Sequence, residues 1–531
     1  MRYAPVLLVW AAACGALGWA LIGHDGEDWL AFALLAPFAL LGVYDMLQTT
    51  HSLHRNYPLI GHVRALFESV RPQIRQYLLE SSTDGRPFDR AQRSLVYQRA
   101  KSVLDTVPFG TERNVRELDF EWINHSLRPQ PKAALPPRLT IGNGQCARPY
   151  SASIFNISAM SFGSLSAAAV RALNLGAKRG GFAHDTGEGG LSRYHLENGG
   201  DLIWEIGTGY FSARSPDGRF DPKRFGALAV QESVKMIEIK LSQGAKPGHG
   251  GILPAAKVTL EIAGIRGVPL GRDCVSPSAH SAFDTPIGLL EFVASLRALS
   301  GGKPTGFKLC VGHRWEFLGI CKAMVQTGIY PDFIVVDGKE GGTGAAPLEF
   351  SDHVGTPLRE GLLFVHNALV GCGVRDHIRI GASGKIVSAF DIASVLAMGA
   401  DWCNAARGFM FALGCLQSQR CHTNQCPVGV TTQDPLRQRG LVVPDKAERV
   451  ANFHRNTVDA LAELVAAAGL EHPGDLRPWH ILRRVAPDRV LALDRAYAML
   501  EPGQLLGVGS LPEEWGVEWR RASAASFAGR G

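Results

Sequence analysis

Residues 306–345 read GFKLCVGHRWEFLGICKAMVQTGIYPDFIVVDGKEGGTGA, and the fold turns on this stretch. A short apolar strand at 306–310 leads into a helical run at 315–327. A second apolar strand at 333–336 then opens into a loop of glycines and charges. Strand, helix and strand within roughly thirty residues make a βαβ unit, whose crossover sets the strands parallel. The alternation continues on both sides. Strands are predicted at 154–157, 181–184, 236–240, 273–275, 306–310, 333–336, 378–382 and 401–404, with helices at 166–179, 287–299, 315–327 and 390–398. Eight strands alternating with helices predict an α/β protein of the (β/α)8 TIM-barrel type. A doubly wound sheet would carry a glycine-rich turn directly after its first strand, where Ser158-Ala159-Met160-Ser161 stands instead.

In such barrels the chemistry sits on the loops that follow the strands. Five of these loops are rich in glycine and polar residues: 159–164, 186–190, 243–251, 337–345 and 381–385. Glycine lets backbone N–H groups approach a phosphate or a flat ring, so the five together predict a phosphorylated, planar cofactor. The stretches 381–385 and Ala406-Arg407-Gly408, each followed by a helix, match the usual phosphate position of these barrels. Lys308 lies inside an apolar strand and must meet an anion or a polarised carbonyl, unless that strand end faces solvent. Glu188 sits between glycines, either as an exposed turn residue or as a ligand-facing carboxylate.

The segment GCLQSQRCHTNQCPVG places Cys415, Cys421 and Cys426 close together, with Pro427 after the last. In a protein facing the cytoplasm, as argued below, three near cysteines point to metal binding rather than disulfides, and thiolates followed by proline are typical of iron–sulfur clusters. Three ligands suit a three-iron cluster, or a site that borrows a distant cysteine. The alternative is zinc held by the three thiolates and His422. His422 and Asn424 read as turn residues or as donors to the cluster sulfurs.

Of the 531 residues 46% are apolar, 20% are charged and 60 are glycine, with a net charge of +6. That balance excludes a disordered chain, and ten cysteines are too few for a small disulfide scaffold. The excess of basic residues does not by itself indicate nucleic acid. Two uncharged apolar runs, 5–23 and 29–44, open the sequence and are joined by the link His24-Asp25-Gly26-Glu27-Asp28. They predict a transmembrane helical hairpin, with Pro37 kinking the second span. Buried core helices or a cleaved signal peptide are the alternatives, but the residues around Gly23 make a poor cleavage site and a second span follows at once. Arg2 precedes the first span, and His51, His54, Arg55, His62, Arg64, Arg71 and Arg75 follow the second, so the remainder of the chain is predicted to face the cytoplasm. The sequons at Asn124 and Asn156 then carry no sugar. The domains expected are a hairpin (1–48), a basic amphipathic joining helix with an irregular lead-in (49–150), the barrel with its cysteine segment (151–440) and a helical C-terminal extension (441–531).

Five segments, in order, resemble the synthase domain of the FMN-binding glutamate synthase family: ISAMSFGSLS (157–166), TGEGG (186–190), IKLSQGAKPGHGG (239–251), GGTGAAP (341–347) and GC…CHTNQCPVGVTTQ (414–433). The resemblance covers about half the chain, and the apolar hairpin, foreign to the classical enzyme, fits a smaller membrane-anchored subfamily. It implies FMN at the strand ends beside a [3Fe–4S] cluster, and hydride transfer from reduced flavin to an imino acid formed from 2-oxoglutarate and ammonia. It implies further that Ser158, Ala159, Met160 and Ser161 line the flavin and that Lys308 faces its pyrimidine side. Gly342, Gly384, Ala406 and Arg407 would belong to the cofactor site, the last three around the phosphate. Cys415, Cys421 and Cys426 would hold the cluster, and Glu188, Lys246 and Arg266 would act on the oxo acid. A lysine and an arginine together suit a dicarboxylate.

Two departures shape the expectation. Where the family's substrate loop has glutamine after two glycines, this sequence has Ile252. The chain also runs from Met1 straight into an apolar span, which predicts that no glutaminase accompanies the barrel. No GxGxxG follows a strand, so electrons are expected from a carrier protein or a reductase subunit. The other readings are an enzyme acting on another oxo or amino acid that exchanges electrons with a membrane carrier, and a non-catalytic electron relay or assembly subunit.

Overall fold

The computed structural model describes every residue except Met1, Arg2, His24, Asp25, Val508 and Gly531, so the charges assigned to Arg2, His24 and Asp25 lie outside the described residues. The chain divides into two units, Met1–Arg90 and Ala91–Gly531.

In the first unit, helices α1 (Ala4–Gly23) and α2 (Gly26–Leu47) pack together, and the Trp10 indole donates to the Ala39 carbonyl at 2.9 Å. Gly42 allows their closest approach, because a Cβ there would lie 2.1 Å from a Val6 methyl. Both helices are long and apolar enough to cross a membrane, with mean hydropathies of 2.0 and 1.9. Leu8, Trp19, Ile22, Leu34 and Leu40 point outward rather than into a protein core. The predicted joining helix is broken into α3 (Ser52–Asn56) and α4 (Ile60–Ile74), the latter running into a final wide turn, Arg75–Leu79.

The second unit begins with α5 (Arg90–Lys101) and is built on a closed barrel of eight parallel strands. These are β1 (Phe155–Ile157), β2 (His184–Asp185), β3 (Leu202–Ile206), β4 (Val234–Lys240), β5 (Thr305–Leu309), β6 (Phe333–Asp337), β7 (Arg379–Ser383) and β8 (Trp402–Ala405). Each pairs in parallel with the next, and β8 closes on β1 with Cys403 opposite Phe155. The outer helices include α6 (Ala167–Gly180), α7 (Leu260–Arg266), α8 (Pro286–Leu299), α9 (Arg314–Thr327), α10 (Leu358–Gly371), α11 (Ala389–Ala397), α12 (Arg407–Ala412) and α13 (Val443–Ala467). Their starts are written locally. The Ser166 hydroxyl accepts from the Ala169 amide to cap α6, Thr285 caps α8 just before Pro286, and Ser388 with Asp391 forms a capping box on α11.

The barrel floor is apolar and plugged. Strands Arg138–Ile141 and Tyr150–Ser153 form an antiparallel hairpin. Its Ile141, Tyr150 and Ala152 bury against Ile203, Met236, Phe333 and Trp402, which lie at or near the starts of their strands. The lead-in predicted to be irregular therefore carries a structural plug, and the opposite, C-terminal mouth is left for polar chemistry. Helix α13 covers β1 and α6, where a Cβ on Gly176 would lie 2.5 Å from Val450. The C-terminal region is helical over α13 and Glu513–Arg521. It also supplies Ile481–Ala486 and Arg489–Ala492, which join Glu121–Ile123 in a small antiparallel sheet.

One barrel strand was not predicted, and one predicted strand lies outside the barrel. The true third strand is Leu202–Ile206, fully buried and interrupted by Glu205, which obscured its apolar run. The segment 273–275 is outside the barrel: Cys274–Val275 pairs antiparallel with Ile252–Leu253. Both belong to the long excursion between β4 and α8, which also carries α7.

Candidate functional site

Four charged side chains meet inside the barrel. Asp185 ends β2, Glu205 lies in β3, Glu238 in β4 and Lys308 in β5, and all four are buried. The Lys308 ammonium bonds a Glu205 carboxylate oxygen and stands 3.5 Å from Glu238. Burial works against its charge, but Glu205, Glu238, Asp185 and Asp337 together hold its pKa well above the ordinary value. The carboxylates respond in the opposite sense. Burial, reinforced by Glu205, pushes Glu238 up to about 7 against the pull of Lys308. Asp185 is raised by burial and by its two glutamate neighbours. Three acids within reach of one base keep a proton among themselves. The anion that Lys308 was predicted to need is thus internal, and the sequence reading missed its partners Glu205, Glu238 and Asp185.

A second cluster lies at the strand ends and on the loops that follow them. Glu188 follows β2, and its carboxylate pairs with Lys240, from the end of β4, at 2.9 Å. Lys246 follows in the β4 loop, and Arg266 is the last residue of α7. Glu188 fits because its neighbours lack side chains: a Cβ on Gly251 would lie 2.5 Å from its Oε1, and one on Gly207 would lie 2.8 Å from its Cβ. Burial tends to raise Glu188, but Lys240, then Lys246 and Arg266, hold it below the usual carboxylate value. Lys246 is buried, donates to the Ala345 carbonyl at 3.0 Å, and is lowered first by burial and then by Lys240, against Glu188. Arg266 donates to the Phe162 carbonyl at 3.1 Å and covers the Phe211 ring at 5.0 Å. Its Nε has no hydrogen-bond partner among the described residues. Three cations face one carboxylate here, a local excess of positive charge suited to an anion. The structure brings Glu188, Lys246 and Arg266 together, and Lys240 joins them.

The remaining cofactor candidates line the same mouth. Ser158, Ala159, Met160 and Ser161 follow β1, and the loops interlock so tightly that a Cβ on Gly187 would lie 2.6 Å from the Ser161 amide nitrogen. The Ser158 and Ser383 hydroxyls are 3.3 Å apart, joining the ends of β1 and β7. Gly384 follows β7 in a positive-φ conformation, and Ala406 caps α12 after β8. Arg407 donates to the Glu340 carbonyl at 2.6 Å, and a Cβ on Gly342 would lie 2.8 Å from its Nε. Burial lowers Arg407 to about 10 while Asp337 and Glu340 pull the other way, the direction in which a phosphate would also act. These residues fit FMN: glycine loops at the strand ends whose Cβ positions are closed, with Arg407 at the β7–β8 end.

The cysteine loop follows α12. Cys415 is held through its carbonyl, which accepts from Tyr97 of α5 at 2.6 Å. Gln417, Gln419 and Asn424 adopt positive φ and fold the segment back on itself. Burial pushes the Cys415 thiol up to about 12 and also raises Cys421. Cys426 differs. Burial would raise it, yet the Thr431 amide and hydroxyl, with the Val428 and Val430 amides, bring it below the usual thiol value. Lys257, lowered to about 8 by burial, is held up in turn by Cys421 and Cys426. A thiol surrounded by amide donors and a cation is stabilised as thiolate, the form an iron–sulfur cluster takes. Asn424 is a turn residue: its side-chain oxygen accepts from the Gln433 amide at 2.7 Å. His422 is exposed.

An α/β barrel whose mouth gathers cations, a carboxylate and interlocked glycine loops defines a site for an anionic small molecule. The conserved region in glutamate synthase matches residues 130–471. The glutamate synthase large subunit-like protein YerD of Bacillus subtilis (strain 168) is 36% identical over 498 residues, covering 86% of this chain and 94% of YerD. The archaeal glutamate synthase (NADPH) of Methanocaldococcus jannaschii is 36% identical over 326 residues, 60% of each chain. The glutamate synthase (NADPH) large chain of B. subtilis matches at 32% over 323 residues, only 20% of its own length. This chain belongs to the glutamate synthase family of oxidoreductases.

Proposed function

We propose that this protein is a membrane-anchored, FMN- and iron–sulfur-dependent oxidoreductase that reduces the imino acid formed from 2-oxoglutarate, or a related oxo acid, and ammonia. The observation that carries this reading is the convergence of Lys240, Lys246 and Arg266 on Glu188 at the barrel mouth. A dicarboxylate would balance the local positive excess with charge-assisted hydrogen bonds, and the unpartnered Arg266 Nε is one donor for it. Bound beside these residues, FMN supplies a hydride to an electron-poor C=N bond. Ser158 to Ser161, Gly342, Gly384, Ala406 and Arg407 hold that cofactor, and Cys415, Cys421 and Cys426 hold the cluster through which electrons arrive from a carrier protein or reductase subunit.

The side chains divide the remaining work. Glu188, kept ionised, fixes Lys240 and is a weak base. Lys246, held below the usual lysine value by burial, is the better group to pass a proton at its Nζ to the substrate nitrogen. Lys308, paired with Glu205, is a fixed positive charge beneath the site rather than a proton donor. The basic residues Arg55, Arg64, Arg71 and Arg75 after the second span support a cytoplasmic orientation of the barrel.

Ile252 favours a second reading, turnover of another oxo or amino acid. It adjoins Gly251, which packs on Glu188, and it offers no hydrogen bond to a second carboxylate. Purified protein tests both readings. Flavin, iron and sulfide should be present, and reduced flavin should be reoxidised by one oxo acid plus ammonium. A colourless, metal-free preparation contradicts both. Reoxidation by quinone alone contradicts the amino-acid chemistry.

A further inference from the structure

We propose that the first unit holds a divalent first-row transition ion of the zinc class on Asp45, His54 and His62, below the end of the apolar hairpin. Asp45 lies in the last turn of α2 and is fully buried. His54 belongs to α3 and His62 to the first turn of α4, so the site would fasten three separate helices. The His62 Nε2 is 2.9 and 3.0 Å from the two Asp45 oxygens, and the Leu59 amide donates to one of them at 3.0 Å. The His54 ring stacks against His62 with centroids 4.1 Å apart, and one ligand atom from each of the three residues lies within 4.8 Å of the others.

Three observations point to a cation. First, a carboxylate in the last turn of a helix faces the negative end of the helix dipole, and burial raises its cost further. Among the described residues Asp45 has no lysine or arginine partner, only His62. Second, the backbone is shaped around the cluster. Leu59 takes a φ of 67°, a left-handed conformation costly for leucine, while delivering its amide to Asp45. Gly61 leaves room for the His54 ring, whose Cδ2 would stand 2.6 Å from a Cβ at that position. Third, the His54 ring nitrogens make no hydrogen bond among the described residues. Two imidazoles and one carboxylate select zinc-class ions over calcium or magnesium. Tetrahedral bonds of ~2.0–2.1 Å set donor atoms ~3.3 Å apart, so the Asp45–His62 pair needs to open by only a few tenths of an ångström. Water or His51, whose ring lies 5.4 Å from that of His54, completes the coordination.

The test is a Co²⁺ titration of full-length, chelator-stripped protein in detergent, comparing wild type with His54→Gln. The wild type should bind one more Co²⁺ than the variant, or bind that equivalent about a hundredfold more tightly. The difference spectrum should show visible cobalt bands without the near-ultraviolet thiolate band that the cysteine loop would contribute, and Zn²⁺ should displace the ion one for one. Zn²⁺ should also raise the thermal midpoint of the wild type and not that of His54→Gln. Equal uptake by both proteins, a difference spectrum carrying the thiolate band, or no site tighter than millimolar would overturn the proposal.

Discussion

Asp185, Glu205, Glu238 and Lys308 inside the barrel, and Glu188, Lys240, Lys246 and Arg266 at its mouth, use the same kinds of charge in opposite proportion. The inner group sets three acids against one base, and the outer group sets three bases against one acid. Inside, the imbalance is met by protonation: Glu238 is pushed up to about 7 and Asp185 is also raised, so little net charge is left to seek a ligand. At the mouth, Arg266 and Lys246 bond to backbone carbonyls, which carry no charge to cancel theirs. Self-satisfied charge maintains a fold, and unbalanced charge at the strand ends is available to a substrate.

The sharpest way to break this comparison is to remove one cation from each cluster. Lys246→Met should lower the rate of oxo-acid-dependent flavin reoxidation about a hundredfold while leaving unfolding stability within about 1 kcal/mol, because its loss also relieves repulsion with Lys240. Lys308→Met should do the reverse in stability, costing about 3–5 kcal/mol in urea unfolding by stranding Glu205 and Glu238. Equal stability losses in the two variants would erase the distinction.

A smaller effect tests the shared proton. Glu238 is raised from 4.5 to about 7, so the folded protein keeps a proton that the unfolded chain releases. The stability from this group is complete below about pH 4.5 and is lost as the pH rises through about 7. Glu238→Gln cannot titrate, and its unfolding midpoint should vary less than that of wild type across that window. The smallest change expected is at Ile252. Ile252→Gln should improve the use of 2-oxoglutarate relative to shorter oxo acids a few-fold, in proportion to about one added hydrogen bond. No change would remove Ile252 from the account of specificity.

The barrel was legible because its signals are local. Short apolar strands alternating with helical runs mark the elements, and glycines mark the loops that follow the strands. The inner cluster was not legible. Glu205 interrupts the strand that was missed, and its partner Lys308 lies 103 residues away, a pairing that only the closed sheet creates. The plug at 138–153 was hidden for a similar reason, since its strands are short and its apolar residues bury against strand starts scattered through the chain. At the mouth, Glu188, Lys246 and Arg266 came from the family resemblance, whereas Lys240, although inside the quoted segment 239–251, read only as the end of a strand.

Binding of an oxo acid by the excess cations at the mouth, for reductive amination, is tested most directly by following the reoxidation of the reduced flavin, anaerobically, with 2-oxoglutarate and related oxo acids, with and without ammonium, in wild type and Lys246→Met. Reoxidation that requires both an oxo acid and ammonium, and that falls about a hundredfold in the variant, is the predicted result. Reoxidation that proceeds equally without ammonium, or is indifferent to the loss of Lys246, would contradict it.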